Sequence, residues 1–335
     1  MLDRAARERV IPPLRIQVVS DGRIGMENQA LGLAEAMQRF SPSEISVVRV
    51  KWRKAFDKLP SALKAPWMLD PASDNPFPKA GDAWPDVWIA TGRATLPLSL
   101  MARRRSGGKT LVVQTQDPRW RTGDYDLVVA PKHDGIEGAN VLSITGSPHR
   151  ISAQRLAEGA AAFADRLEPL PRPRVAVLVG GKSRAHDLPD AHAADLADRI
   201  AAAVTAAGGS LMLTFSRRTP EAAKAAMTAR LESLPGLIWD GQGPNPYFAF
   251  LWFADHVLVT EDSANMAAEA ASTGKPVHIL PMIATRPGDK FARLHADLRA
   301  QGAARPFDGT LEGWSYAPLA ETDRAARVIV DRLNR

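Results

Sequence analysis

The stretch Thr260-Glu-Asp-Ser-Ala-Asn-Met-Ala-Ala-Glu-Ala-Ala-Ser272 decides how this chain is read. An apolar run, His256-Val-Leu-Val259, leads into it, and a second, Val277-His-Ile-Leu280, follows after Thr-Gly-Lys-Pro. Short apolar runs flanking a small-residue segment of helical length predict strand, turn, helix, strand: one parallel βαβ unit. Glu261 falls in the turn, and Glu269 lies two helical turns further on. Ser263 and Asn265 occupy the first turn of that helix, whose free backbone N–H groups attract anions. A phosphate on that turn, with Glu269 reaching a sugar hydroxyl, would make a nucleotide-sugar site.

Composition bounds the classes around that unit. A chain of 335 residues suffices for two domains, and 45% hydrophobic with 24% charged residues is ordinary globular usage that calls for no disorder. The absence of cysteine excludes disulfides, thiolate nucleophiles and cysteine metal sites, and it suits a reducing cytoplasm. The opening MLDRAARERVIPPLRI has no apolar core of signal-peptide length, and no apolar stretch is long enough to span a bilayer. A cytoplasmic location is therefore expected, with peripheral membrane association left open. The net charge of +6 suits anionic partners: phosphorylated ligands, anionic lipid or nucleic acid. Nucleic acid is set aside because no recognition module is present. Arg103-Arg-Arg105 reads as a solvated helix end. Lys51-Trp-Arg-Lys54 with Phe56 either touches a membrane surface or packs as a loop against its domain.

The strand–helix rhythm runs along the chain. Strands are expected at Leu14–Val19, Ile45–Val50, Asp86–Ala90, Thr110–Gln114, Leu127–Ala130 and Val141–Thr145, with helices at Asn28–Arg39 and Ile151–Arg166. Residues 51–85 form a proline-rich excursion, long enough to be functional or mobile. Pro169, Pro171 and Pro173 alternate in a stretch that can continue neither a helix nor a sheet interior, which makes 167–174 the expected linker. Beyond it come strands at Val175–Val179, Ser210–Phe215, Leu237–Trp239 and Val257–Val259. Helices are expected through Ala207, through Leu234, near Tyr247–Phe253 and over Glu321–Asn334. The pattern predicts an α/β protein with two doubly wound parallel-sheet domains facing a cleft: 1–166, 175–320, and a final helix over 321–335.

Ligands of such sheets bind beyond the carboxyl ends of the strands. The first strand is followed by Ser20-Asp-Gly-Arg-Ile-Gly-Met-Glu-Asn28, the third by Thr91-Gly-Arg93 and the fourth by Gln114-Thr-Gln-Asp117. Pro131-Lys-His-Asp134, Gly180-Gly-Lys-Ser183 and Ser216-Arg-Arg218 follow later strands. The last-but-one stretch resembles a P-loop, but Ala176 stands where its first glycine would be, so the wrap around a β-phosphate cannot form. Its glycine amides and Lys182 could still meet a diphosphate. No Gly-x-Gly-x-x-Gly follows a strand, and no tyrosine has lysine four residues later, which removes the short-chain epimerase mechanism. The histidines show no metal-protease spacing, so no metal is expected. His133 is either a general base oriented by Asp134 or Asp117, or a loop histidine bonded locally.

Four blocks resemble one family: SDGRIGMENQALGLAEAM from Ser20, VQTQDPR at 113–119, VGGKSRAH from Val179, and TEDSANMAAEAASTGKPVHIL from Thr260. They are similar to the bacterial and organellar proteins named for the plant mitochondrial fission factor Elm. That family is similar in turn to glycosyltransferases of the two-Rossmann-domain GT-B architecture, and its bacterial members are often labelled nucleoside-diphosphate-sugar epimerases. The resemblance implies a donor nucleotide-sugar as co-substrate, with no other cofactor and no metal. It places Gly180, Gly181, Lys182, Ser183, Arg217, Asp262, Ser263, Asn265 and Glu269 on the donor, Glu269 taking the ribose. It places Arg23, Asn28, Arg93, Gln116 and Asp117 on an acceptor, a lipid-linked one included. His133, Asp21 and Glu261 are the candidate catalytic groups. The expected function is nucleotide-sugar-dependent glycosyl transfer. The rivals are a non-catalytic adaptor of the same fold in membrane recruitment, the role in the plant relatives, and an epimerase, which is disfavoured.

Overall fold

The computed structural model describes residues 12–286 and 290–334; the first eleven residues, read above as lacking a signal-peptide core, and Arg335, the end of the segment 321–335 read above as a final helix, lie outside them. Runs of valine, isoleucine and leucine bounded by glycine, proline and aspartate form the strands, as side chains that pack well on a pleated surface should. The first part of the chain gives β1 (Leu14–Ser20), α1 (Ile24–Met37), β2 (Ser43–Arg49), α2 (Lys54–Asp57), β3 (Val87–Thr91), α3 (Leu96–Arg105), β4 (Leu111–Thr115), β5 (Leu127–Pro131) and β6 (Val141–Ile144). These strands make one six-stranded sheet in the order β2-β1-β3-β4-β5-β6. All five residues of β3 are buried, and so are those of β5, as expected for strands covered on both faces.

The chain continues through α4 (Ala153–Ala161), α5 (Ala164–Leu167), β7 (Arg174–Val179), β8 (His186–Asp187), α6 (Asp190–Ala206), β9 (Ser210–Phe215), α7 (Glu221–Leu231) and β10 (Gly236–Ile238). Then follow α8 (Tyr247–Phe253), β11 (His256–Thr260), α9 (Ala264–Ala271), β12 (Val277–Leu280), β13 (Ile283–Ala284), α10 (Lys290–Ala300), β14 (Ala304–Pro306) and α11 (Glu321–Leu333). The second six-stranded sheet has the order β10-β9-β7-β11-β12-β14, and β8 pairs with β13 as a small antiparallel ribbon. Alternation along β7 explains its two cores. Val175, Val177 and Val179 pack with the buried faces of α6 and α7, whereas Ala176 and Leu178 pack with α8, α9 and α10.

The fold class is the expected one, two Rossmann-like parallel-sheet domains. By contacts the chain divides into two compact units. The first runs through Ala130 and adds Glu137–Leu142 and the stretch from Thr322; the second comprises Pro131–Ile136 and Ser143–Glu321. The proline-rich stretch 167–174 thus falls inside the second unit, because α4 packs on α8, and Gly159 lies where any Cβ would overlap Phe248. α11 belongs to the first unit, where Arg39 pairs with Asp323 and Arg332 donates to the Asp126 carbonyl (2.7 Å).

Several elements differ from the sequence reading. The helix expected at 28–39 begins four residues earlier, at Ile24, two residues after the left-handed Gly22 (φ +77°). The helix expected over 151–166 is two helices, interrupted at Phe163. α10, β14 and the β8–β13 ribbon were not anticipated.

Candidate functional site

In a sheet of order β10-β9-β7-β11-β12-β14 the strand order reverses between β7 and β11, and the crevice beyond their carboxyl ends is where such sheets bind ligands. In the second unit that crevice is filled by one side chain. Asp262 has no exposed side-chain surface and accepts from the Gly181 amide (3.0 Å) and Thr260 Oγ1 (2.7 Å), and it pairs with Arg218 (2.9 Å). The Gly180 amide donates to Thr260 Oγ1 (2.7 Å). The glycines are there for closeness: a Cβ on Gly180 would overlap the Asp262 carboxylate, and one on Gly181 the Arg218 backbone. The amides of Gly180 and Gly181, expected to face a diphosphate, are thus already engaged, and Asp262 ties three loops together.

The rest of that loop is also tied down. Lys182 Nζ pairs with Asp187 (3.0 Å), which holds the Asp187 carboxyl below its usual range. Ser183 Oγ accepts the amides of Ala185 (3.1 Å) and His186 (3.0 Å). Arg217 is exposed, whereas its neighbour Arg218 takes the buried pairing.

Around α9 the geometry is more open. Ser263 caps the helix, accepting from the Met266 amide, while Asn265 is half-buried in the first turn. Glu269 lies two turns on. The Tyr247 hydroxyl, at the start of α8, donates to its Oε2. Burial pushes the Glu269 carboxyl up to about 7 against the lowering effect of that bond, and the Tyr247 phenol is raised well above its usual range, first by burial.

Glu261 sits between two histidines that the sequence reading did not connect with it. His186 Nε2 is 3.1 Å from its carboxylate, and His295 Nε2 donates to its carbonyl (2.8 Å). His295 lies on α10, as do Arg293, which donates to the His133 carbonyl (3.2 Å), and Lys290, which pairs with Asp134 (3.2 Å). α10 thereby gathers the Glu261 turn and the His133 turn at one helix. His133 itself is buried, with Nδ1 meeting no hydrogen-bond partner and Nε2 3.9 Å from Asp134. Burial pushes its imidazole down to about 4, so at pH 7 it is neutral and a weak base.

In the first unit the strand order reverses between β1 and β3. There Asp21 pairs with Arg23 (2.6 Å), beside Gly92 (φ +80°), whose Cβ position faces Met26, Arg23 and Asp21. Gln116, held at φ +67°, donates to Gln29 Oε1 (2.9 Å) and touches Met26 Sδ (3.5 Å). Asp21, Arg23 and Gln116 are thus brought together. Asn28 is half-buried on α1 and Arg93 exposed after β3, and Asp117 turns back to accept the Arg119 amide (2.7 Å).

Two Rossmann-like sheets of this kind define the GT-B class. Solved structures similar to this chain include the UDP-GlcNAc 2-epimerase from Methanocaldococcus jannaschii, with a TM-score of 0.54 at 13% identity over 96% of this chain and 100% of that one. A co-structure of S. aureus MnaA with UDP is similar at a TM-score of 0.50 and 13% identity, over 96% of this chain and 89% of that one. Residues 24–333 match the family described as Mitochondrial fission ELM1, and the chain belongs to that family. It is 33% identical over 273 residues to the mitochondrial fission protein ELM1 of Arabidopsis thaliana, a match covering 72% of this chain. The chain spans 62% of that plant protein's length. An uncharacterized protein of Rickettsia prowazekii is 24% identical over 357 aligned positions, covering 94% of this chain and 98% of that one.

Proposed function

We propose that this protein binds a nucleoside-diphosphate sugar through its second unit and acts as a GT-B-type, glycosyltransferase-like enzyme. The observation that carries the reading is the Glu269 carboxyl, which accepts from the Tyr247 hydroxyl while the residue as a whole is only half-buried. With its pKa pushed up to about 7, it can accept or donate a hydrogen bond at neutral pH, which matches a ribose diol. Asn265 in the first turn of α9 and the exposed Arg217 supply polar and cationic groups for the diphosphate. Glu261, steadied by His186 and His295, is the positioned carboxylate for the transferred sugar. The Asp21, Arg23 and Gln116 group of the first unit takes the acceptor. The UDP and UDP-sugar in the names of the similar structures support the ligand class.

The crevice filled by Asp262 favours a second reading, a non-catalytic GT-B-fold adaptor. Thermal stability against UDP-, GDP-, ADP-, CMP- and dTDP-linked sugars separates the two, since a ligand at a hundred times its dissociation constant stabilises by about 2.7 kcal/mol. A shift with one nucleotide that Glu269→Ala removes is the expected result. A folded protein that no nucleotide shifts would overturn the enzyme reading in favour of the adaptor. The same incubations, analysed for isomerised sugar, would reveal epimerase chemistry, because the missing Tyr-x-x-x-Lys pair removes the short-chain mechanism alone.

A further inference from the structure

Only a handful of large apolar side chains stand open to solvent among the described residues, and two of them, Leu63 and Trp67, each 62% exposed, fall in one short segment of the first unit. That segment is built on a fixed base. Trp52 is buried, donates its indole N–H to the Ala94 carbonyl (2.9 Å), and pairs with Leu69 in an antiparallel bridge. Lys64 lies 4.9 Å over the Trp52 ring and donates to the Asp57 carbonyl (2.8 Å). The Arg53 amide donates to the Met68 carbonyl (3.1 Å), and its guanidinium to Leu69 (3.1 Å), so residues 51–56 run beside residues 66–69. Phe56 then meets Trp67 edge-on with ring centroids 5.3 Å apart. In the same segment Lys51, Arg53, Lys54 and Lys58 are all exposed, against the single acid Asp57 within residues 51–69.

We propose that residues 51–69 are a docking surface for an anionic lipid bilayer. Stable anchoring at a membrane takes two signals, and both are present here: apolar side chains that can enter the headgroup boundary, and a basic collar that meets anionic headgroups. Tryptophan favours that boundary because its ring is apolar while its N–H stays wet. The charge fits this occupant, since residues 51–69 carry four exposed cations and one carboxylate together with the exposed apolar side chains. The base beneath them means that docking requires no refolding of the segment.

The test is co-sedimentation of the full chain with phosphatidylcholine vesicles, with and without phosphatidylserine, at low and high salt. Wild-type protein is expected on the serine-containing vesicles only, with binding that weakens as salt rises. Each cation near an anionic surface contributes on the order of a fivefold change in partition. The triple change Lys51→Glu, Lys54→Glu and Lys58→Glu should therefore abolish binding. The double change Leu63→Ala and Trp67→Ala, at exposed positions, should reduce it at least tenfold with an unchanged melting temperature. Wild-type protein that ignores both vesicle types would overturn the proposal. So would loss of binding of the same size from the control Arg103→Glu and Arg104→Glu, which would show generic attraction of a basic chain.

Discussion

The two sheets end in glycine-bearing loops at their points of strand reversal, and the glycines are there for opposite reasons. In the first unit Gly22 and Gly92 have φ of +77° and +80°, a conformation that side-chain-bearing residues rarely adopt, and the groups around them, Asp21, Arg23 and Gln116, stay partly open. In the second unit Gly180 and Gly181 have no such dihedral requirement. They are glycines because Asp262 and the Arg218 backbone press against them. One crevice is left lined with polar side chains; the other is filled by a buried carboxylate. A glycine after a strand therefore marks a left-handed turn in one sheet and a packing seam in the other. In the second unit the half-buried candidates are Glu261, next to Asp262, and Asn265 and Glu269 on α9.

Removing the carboxylate gives the largest effect. Asp262→Ala strips the buried partner from the Gly181 amide, Thr260 and Arg218 at once. Orphaned buried groups of this kind cost about 3 kcal/mol in total. Urea unfolding followed by hydrogen exchange should show the loss confined to the second unit. Uniform loss in both units, or none, would mean that Asp262 is not the seam. The glycines sharpen the contrast at smaller scale. Gly180→Ala must displace a carboxylate held by three partners and should cost about 2 kcal/mol. Gly22→Ala meets only ordinary contact at 3.8 Å and should cost about 1 kcal/mol through its backbone angle. The reverse order of the two unfolding midpoints would refute the distinction drawn between them.

Much of this was legible in the sequence, for a physical reason: buried parallel strands must be continuous apolar runs, so β3, β5, β7, β11 and β12 announce themselves. The spacing of Glu261 and Glu269 likewise put one in the turn after β11 and the other on α9. What was not legible depends on contacts distant in sequence. Asp262 reads as a ligand-facing loop residue until Gly181 and Arg218 close on it. Tyr247 stands twenty-two residues before Glu269 and meets it only because α8 and α9 are neighbours. α10 was missed outright, since Leu294 and Leu298 are its only buried side chains, and Phe291 with eight polar or small residues makes up the rest. Its Leu-x-x-x-Leu spacing was the available signal. With α10 went His295 and Arg293, and with them the reason why the turns of Glu261 and His133 are held by one helix.

Acid offers the gentlest way to separate the units, because all seven histidines lie in the second. Burial pushes His133 and His278 down to about 4 from the ordinary 6.5. Between those values the unfolded chain binds protons that the folded one refuses, so their stability is fully present above pH 6.5 and is lost as pH falls towards 4. Each contributes a loss of about 1.4 kcal/mol per pH unit in that window. Glu269 works the other way. Its carboxyl, raised to about 7 from 4.5, takes a proton in the folded state first, so its contribution favours folding as pH falls from 7 to 4.5. Burial also pushes the His256 imidazole down, so the losses outweigh the gain and stability falls between pH 6.5 and 4.5. His278→Asn should make that slope shallower, and Glu269→Gln should make it steeper, both read from unfolding midpoints across the window. The first unit, which holds no histidine, should keep its exchange protection through the same range. If it loses protection in step with the second, the two units unfold as one, and the difference between their loops has no counterpart in stability.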